Sequence, residues 1–123
     1  MKSLKQVWMM DLIMYKRGEI ILVNLNPQKN NEAGKTRPCI VVSDSIVNEI
    51  LDLVTIIPCT TNLLGSGLFR INLKPRDALE KECEVMIEQI RGVSKKRILN
   101  SLGSVDADEM QKIESGTKAL LGI

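Results

Sequence analysis

The sequence predicts a mainly β domain with short helices, in which a small, strongly bent sheet or barrel is followed by the longest helix. Between residues 17 and 98, apolar residues recur in short alternating or continuous runs separated by Gly, Pro and Asn, as they do in strands. Only near the end of the chain does the apolar period change to three or four residues. A length of 123 residues suits one domain, which we place at residues 15–123.

Six strands are predicted, at residues 19–26, 38–43, 53–59, 68–74, 84–90 and 92–98. Pro27 ends the first strand, and Pro58 predicts that the third ends at a sheet edge or bulge, because proline cannot donate to a ladder. Between the second and third strands, Asp44 and Ser45 can cap a short helical turn. The apolar runs predict a core that includes Ile40, Val41, Val42, Val54 and Ile56.

The last element is predicted to be an amphipathic helix. Asp106 stands three residues before Glu109, the spacing of a capping box at a helix start. The apolar stripe that follows consists of Met110, Ile113, Thr117 and Leu120.

Residues 1–14 form an N-terminal extension to which we assign no role. Its apolar stretch is interrupted by Asp11, is too short to span a membrane, and lacks the cleavage site of a signal peptide. Three widely separated cysteines, Cys39, Cys59 and Cys83, form no CxxC pair and fit a reducing compartment. We therefore expect a cytoplasmic protein whose cysteines are small buried residues.

The composition excludes several kinds of chemistry. The chain has no histidine, which rules out catalytic triads with histidine, histidine acid–base pairs and histidine-ligated metals. One Trp, one Tyr and one Phe are too few for a module that stacks several bases on aromatic side chains. A net charge of +2 does not by itself indicate a nucleic-acid-binding protein, so any basic surface depends on local clustering.

The loop at residues 30–38 carries one carboxylate, Glu32, and two cations, Lys35 and Arg37, to the start of a buried strand. The Arg37 guanidinium offers a planar set of donors that matches a phosphate and stays charged at any working pH. Most charged loops are only solvated segments. A functional role is favoured here because Arg37 directly precedes Pro38 and the apolar strand, which anchors its backbone at the rim of the core.

Three further polar groups stand out: Thr60 and Thr61; Glu88, Gln89 and Arg91; and Lys95 and Lys96. The two threonines end a strand, where their hydroxyls either cap it or bind a phosphate. The second group interrupts an apolar strand and forms either an internal network or a recognition element. The lysines either protect a strand edge or follow a phosphate backbone.

The order of these groups is more specific than any of them alone. The motifs are Arg-Gly-Glu-Ile at 17–20, Asn-Pro at 26–27, Glu32 five residues before Arg37-Pro38, Ile-Pro-Cys-Thr at 57–60, Ile-Glu-Gln-Ile-Arg at 87–91 and Ser-Lys-Lys-Arg at 94–97. In this order and spacing, over residues 16–121, they resemble the MazF/PemK family of toxin ribonucleases. Met86 stands where some members have an arginine, which favours the MazF-type arrangement over the PemK-type one.

The resemblance implies a small SH3-like, PemK-type β-barrel and a homodimer that binds single-stranded RNA along the dimer interface. It also implies sequence-specific RNA cleavage without a metal or other cofactor, leaving a 2′,3′-cyclic phosphate and a 5′-hydroxyl, and inhibition by a cognate antitoxin peptide. The family's catalytic arginine and threonine correspond to Arg37 and Thr60. Its loop carboxylate corresponds to Glu32 and its acidic-Gln pair to Glu88 and Gln89, and either carboxylate is a candidate general base.

On this interpretation the catalytic residues are Arg37, Thr60 and Glu32, and the RNA-binding residues are Lys35, Thr61, Glu88, Gln89, Arg91, Lys95 and Lys96. Two other functions stay open. A gyrase-targeting toxin of the same barrel fold would act on a protein through its C-terminal residues, and a non-catalytic binding module would keep only the barrel. Of the three, only the ribonuclease needs Arg37 for its activity.

Overall fold

The computed structural model describes residues 14–123, so residues 1–13 of the proposed N-terminal extension lie outside the described part. The strands are β1 (Glu19–Asn24), β2 (Thr36–Val41), β3 (Leu53–Thr60), β4 (Arg70–Leu73), β5 (Cys83–Met86), β6 (Arg91–Ser94) and β7 (Ile98–Ser104). The helices are α1 (Ser45–Ile50) and α2 (Ala107–Leu121), and single 3₁₀ turns cover Ile87–Gln89 and Lys95–Arg97. The predicted fold class, mainly β with a C-terminal helix, is confirmed.

All strand pairings between residues 14 and 123 are antiparallel, in the order β4-β5-β3-β2-β1-β7, with β6 also paired to β3. The sheet curls because the chain leaves β6, passes through one 3₁₀ turn and enters β7 on the far side of β1. Register shifts between β1 and β7 add to this curvature. The result is a bent, barrel-like sheet rather than a flat one.

Strand β3 is the centre of the sheet, although its last two residues, Cys59 and Thr60, pair with β5 alone. One side of β3 pairs with β2, and the other pairs first with β6, through Ile56, and then with β5, from Cys59 onward. Pro58 lies at the step between β6 and β5, so its missing N–H falls outside both of these ladders. The central strand therefore carries its proline without losing a bond to either partner.

Two apolar clusters cover the two faces of the curled sheet. One includes Ile20, Ile40 and Ile57 and extends to Ile113 of α2, and the other is built around alternate residues of the same three strands. Four residues of the predicted core are fully buried: Ile40, Val41, Val54 and Ile56. The fifth, Val42, is only half-buried, because it follows the last residue of β2.

Helix α2 begins with the predicted capping box, in which Asp106 accepts from the Glu109 backbone N–H and Glu109 from that of Asp106. Its buried face consists of Ile113 and Gly116, whereas Leu120 of the predicted stripe stays exposed. Within residues 14–123, neither helix combines the length and the apolar character needed to cross a bilayer.

The second half of the sheet differs from the predicted boundaries. The strand expected at 84–90 ends at Met86, and Glu88 and Gln89 lie in a 3₁₀ turn instead. The strand expected at 92–98 is replaced by β6, a second 3₁₀ turn and β7. Each turn carries a polar side chain, Gln89 in the first and Arg97 in the second, that binds the backbone at or next to the loop between β1 and β2.

Candidate active site

Arg37 and Thr60 are brought together by the pairing of β2 with β3. The ladder ends at the pair formed by Cys39 and Pro58, each of which lies two residues from Arg37 or Thr60 in its own strand. Arg37 and Thr60 both line a cavity of about 410 Å³, together with Lys35, Thr61 and Asn62. Four of the predicted site residues therefore share one cavity.

The Arg37 side chain is anchored at its base. Its Nε donates to the carbonyl oxygen of Gly34 at 2.7 Å, and its Nη1 donates to that of Cys59 at 3.4 Å. Among residues 14–123, no acceptor engages its Nη2. The half-buried guanidinium is thus fixed in place while retaining donors for an anion in the cavity.

The Thr60 hydroxyl accepts from the backbone N–H of Asn62 at 3.1 Å. This short-range bond turns the chain as it leaves β3 and fixes the hydroxyl oxygen. Since that bond uses the oxygen only as an acceptor, the hydroxyl proton remains free to be donated. Arg37 and Thr60 together therefore offer a charged and a neutral donor on one cavity wall.

The loop between β1 and β2 has its shape fixed by backbone geometry. Asn30 and Lys35 adopt left-handed φ angles of 52° and 67°, and the Lys35 N–H donates to Oδ1 of Asn26 at 2.9 Å. A side chain at Gly34 would collide with Gln28, because a Cβ there would lie 2.4 Å from that residue's Cβ. The Gly34 carbonyl that holds Arg37 is therefore itself tightly placed.

Gln89 binds this loop through main-chain atoms. Its Oε1 accepts from the Ala33 N–H at 2.9 Å, and its Nε2 donates to the Asn31 carbonyl at 3.0 Å. Next to it, Arg91 Nη1 lies 3.7 Å from Oε2 of Glu32. Glu32 lies beside Arg91 of β6 and is not among the residues that line the Arg37–Thr60 cavity.

The remaining predicted residues lie apart from this cavity. Glu88 is exposed, with its Oε1 3.9 Å from Arg70 Nη2. Lys95 donates its backbone N–H to Asp52, next to the opposite end of β3 from Thr60, and Lys96 follows it. The structure therefore does not place these two lysines in the cavity of Arg37 and Thr60.

The family of PemK-like, MazF-like toxins of type II toxin–antitoxin systems matches residues 16–121. The chain belongs to this family. Among curated relatives, the endoribonuclease MazF9 of Mycobacterium tuberculosis is 31% identical over 116 residues, which are 89% of this chain and 98% of that protein.

Solved structures of the MazF group share the fold. MazF from Deinococcus radiodurans superimposes with a TM-score of 0.79 at 24% identity, covering 89% of this chain and 98% of the other. A mycobacterial endoribonuclease in complex with its cognate antitoxin superimposes with a TM-score of 0.72 at 22% identity, covering 89% and 96%. The resemblance to MazF/PemK toxins that the sequence motifs predicted is confirmed.

Residues that were not predicted as site residues also shape the site. Arg97 Nη1 donates to the carbonyl oxygens of Asn24 and Asn26 at 3.1 and 2.5 Å, which holds the start of the β1–β2 loop. Glu84 of β5, which the sequence analysis did not single out, is fully buried. A charged residue between the apolar Cys83 and Val85 was the signal that could have revealed it.

The cysteines of this MazF/PemK toxin are buried, as predicted. Burial raises the pKa of Cys39 to about 12, against the opposing charges of Arg37 and Arg91. A hydrogen bond with Cys83, together with burial, raises the pKa of Cys59, and the same bond lowers that of Cys83. Among residues 14–123, no three acidic or cysteine side chains converge as metal ligands would.

Proposed function

We propose that this chain is a sequence-specific endoribonuclease toxin that cleaves single-stranded RNA, including mRNA, without a metal ion. The observation that carries the proposal is the pair of donors, Arg37 and Thr60, on one wall of a cavity open to a phosphate. Membership of the MazF/PemK family and 31% identity to a protein named as an endoribonuclease support the same activity. We place this activity in the cytoplasm.

The proposed reaction is attack by a ribose 2′-oxygen on the adjacent phosphorus. The 2′-O–P bond forms, the bond from phosphorus to the 5′-oxygen breaks, and the products are a 2′,3′-cyclic phosphate and a 5′-hydroxyl. Arg37 stabilises the extra negative charge of the pentavalent phosphorus, and Thr60 donates to a non-bridging oxygen. Because arginine keeps its protons, the leaving 5′-oxygen takes its proton from solvent.

We assign the removal of the 2′-hydroxyl proton to Glu32. It lies on the loop whose Gly34 carbonyl anchors Arg37, and its side chain is 58% exposed and accessible to RNA. Its contact with Arg91 is long, at 3.7 Å, so the carboxylate can turn toward a bound ribose without losing a strong bond. A Glu32→Gln variant is expected to bind RNA and to cleave it slowly.

We also propose that the toxin is a homodimer. Apolar side chains are exposed on α1 and on the chain that follows it, with exposed fractions of 68% at Ile46, 75% at Ile50 and 54% at Leu53. A cluster of this kind is typical of a surface that a partner covers. Lys95 binds the backbone of Asp52 beside this face, so Lys95 and Lys96 would border an RNA path along the interface.

A cognate antitoxin is proposed to inhibit the toxin by covering the RNA path. One structural neighbour from mycobacteria is an endoribonuclease in complex with its cognate antitoxin, and it matches 89% of this chain. An acidic segment of the antitoxin would compete with phosphate for Arg37 and Lys35.

The test is incubation of the purified protein with a long single-stranded RNA in EDTA, followed by mapping of the cut ends. We expect cuts at a recurrent short sequence with cyclic-phosphate ends, lost in Arg37→Ala. Arg17→Ala is the matched control, since Arg17 pairs with Glu114 outside the cavity. Intact RNA from a folded wild-type protein would reject the ribonuclease and favour the non-catalytic or gyrase-targeting alternatives.

A further inference from the structure

Glu84 carries a buried carboxylate that accepts hydrogen bonds from the loop following Thr60. It lies in β5, whose residues are all buried, and its side chain is 2% exposed. Its Oε1 accepts from the N–H of Leu64 at 2.9 Å, and its Oε2 accepts from that of Gly65 at 3.0 Å. Both carboxylate oxygens are thus used by consecutive main-chain amides of one loop.

That loop, residues 61–69, joins β3 to β4 and separates two cavities. Its first residues, Thr61 and Asn62, line the cavity of Arg37, while Ser66, Gly67 and Leu68 line a cavity of about 560 Å³ against α2. Its position is also set by the sheet, since the pairing of β3 with β5 joins Thr60 directly to Glu84. The carboxylate therefore holds the loop at Leu64 and Gly65, four and five residues after Thr60.

The burial of Glu84 is balanced by Arg70. Arg70 Nη1 lies 3.6 Å from Glu84 Oε1, and within the described chain this buried Nη1 has no hydrogen-bond partner. Apolar residues of similar volume commonly replace a buried ion pair without loss of stability. The ion pair with Arg70 therefore does not by itself explain a carboxylate here, whereas the two amides of the loop do.

We propose that Glu84 is a positioning residue, which fixes the 61–69 loop through Leu64 and Gly65 and so sets Thr60 and Asn62 for RNA. This inference rests on the proposed ribonuclease function. The Asn62 N–H donates to the Thr60 hydroxyl at 3.1 Å, and Leu64, which Glu84 holds, follows two residues later. A loosened loop would let the hydroxyl rotate away from a bound phosphate, slowing cleavage more than it weakens the fold.

Two variants and one control test the proposal. Glu84→Gln keeps the shape and removes the charge, and the double variant Glu84→Met with Arg70→Met replaces the buried pair by apolar side chains. Glu82→Gln is the matched control, since Glu82 pairs with Lys74 at the surface. Amide hydrogen exchange at Leu64 and Gly65, thermal melting, and kcat and KM on a short RNA containing the mapped site are measured for each.

We expect exchange at the two amides to rise roughly tenfold to a hundredfold in both Glu84 variants, the equivalent of a lost charge-assisted bond. The double variant should stay folded, with its melting temperature lowered only by the two lost loop bonds, and its kcat should fall by about tenfold, while Glu82→Gln matches wild type throughout. Wild-type kcat and KM in the folded double variant, or no rise in exchange, would overturn the proposal. If the wild type cleaves no RNA, the ribonuclease function fails, and exchange still decides whether Glu84 holds the loop.

Discussion

Gln89 accepts a hydrogen bond from the backbone N–H of Ala33 at 2.9 Å, although 56 residues separate the two in the chain. The same side chain donates to the Asn31 carbonyl at 3.0 Å, so one amide group binds the main chain of the β1–β2 loop on both sides of Glu32. Since this loop supplies Gly34, which anchors Arg37, the amide of Gln89 shapes the cavity from outside it.

Replacement of Gln89 should loosen this loop. Gln89→Ala removes both bonds, and we expect the free energy of unfolding to fall by about 1–2 kcal/mol, with faster proteolysis near Asn30. Gln111→Ala is the control, because Gln111 is exposed on α2. Urea unfolding and limited trypsin digestion measure the two effects, and equal behaviour of the two variants would contradict the prediction.

The Thr60 hydroxyl should matter for cleavage and not for folding. Thr60→Val keeps the branched shape in the strand and removes the donor, so we expect the cleavage rate to fall on the order of 100-fold. Thr60→Ser retains the hydroxyl and should keep most of the rate. Single-turnover cleavage of RNA measures both, and a fully active valine variant would remove Thr60 from the proposed mechanism.

Gly116 should not tolerate alanine, although it lies inside a helix. A Cβ at this position would lie 2.4 Å from the Leu68 carbonyl oxygen and 3.2 Å from Cγ1 of Ile87. Alanine normally stabilises a helix relative to glycine, but the collision should reverse the sign and cost about 1–3 kcal/mol. Thermal melting of Gly116→Ala against Ser115→Ala, at the exposed neighbouring position, measures the difference; a more stable Gly116→Ala would show that α2 can shift freely.

The stability lost when a core side chain is truncated to alanine should increase with the burial of that side chain. Ile56→Ala removes a fully buried side chain of the central strand and should cost about 2–5 kcal/mol. Val42→Ala should cost clearly less, because Val42 is only partly buried at the rim. Equal losses in the free energy of urea unfolding would contradict the difference in burial between Ile56 and Val42.

The free energy of unfolding should fall at alkaline pH because of the Cys39 thiol. Burial raises the pKa of this thiol from 9.0 to about 12 in the folded protein. Between these values the unfolded chain releases the thiol proton and the folded chain retains it, so rising pH favours unfolding, by roughly 1 kcal/mol per pH unit. Urea unfolding at pH 8 and pH 10 measures this effect in the wild type and in Cys39→Ala. Between the two pH values, the free energy of unfolding should fall more in the wild type than in the variant. An equal fall in both would show that Cys39 is not the group responsible.

The sequence allowed the local elements to be predicted where one pattern dominated. Alternation located β1 and β4, and the spacing of Asp106 and Glu109 located the start of α2. Strand β7 was not predicted because most of its residues are at least partly exposed and its pairing with β1 is interrupted by register shifts, which erase the period of two. The turn at Ile87–Gln89 was taken for strand because Ile87 and Ile90 continue the apolar run.

The site was predictable only in part, since it depends on contacts between distant segments. The family resemblance paired Arg37 with Thr60, and the pairing of β2 with β3 brings both to one cavity. Nothing in the local sequence shows that Gln89 binds loop backbone, or that Lys95 lies by Asp52 rather than near Thr60. Glu84 was overlooked because its amide partners lie about twenty residues earlier.

The side chains of Gln89 and Glu84 both bind main-chain atoms of the loops that they hold, and not loop side chains. Since every residue except proline offers the same N–H and C=O, most substitutions at the loop tips leave these bonds in place. Residues that hold the loops are thereby separated from residues that the loops present. Descendants of this toxin can exchange the presented side chains, and with them the bases they meet, while inheriting an unchanged framework.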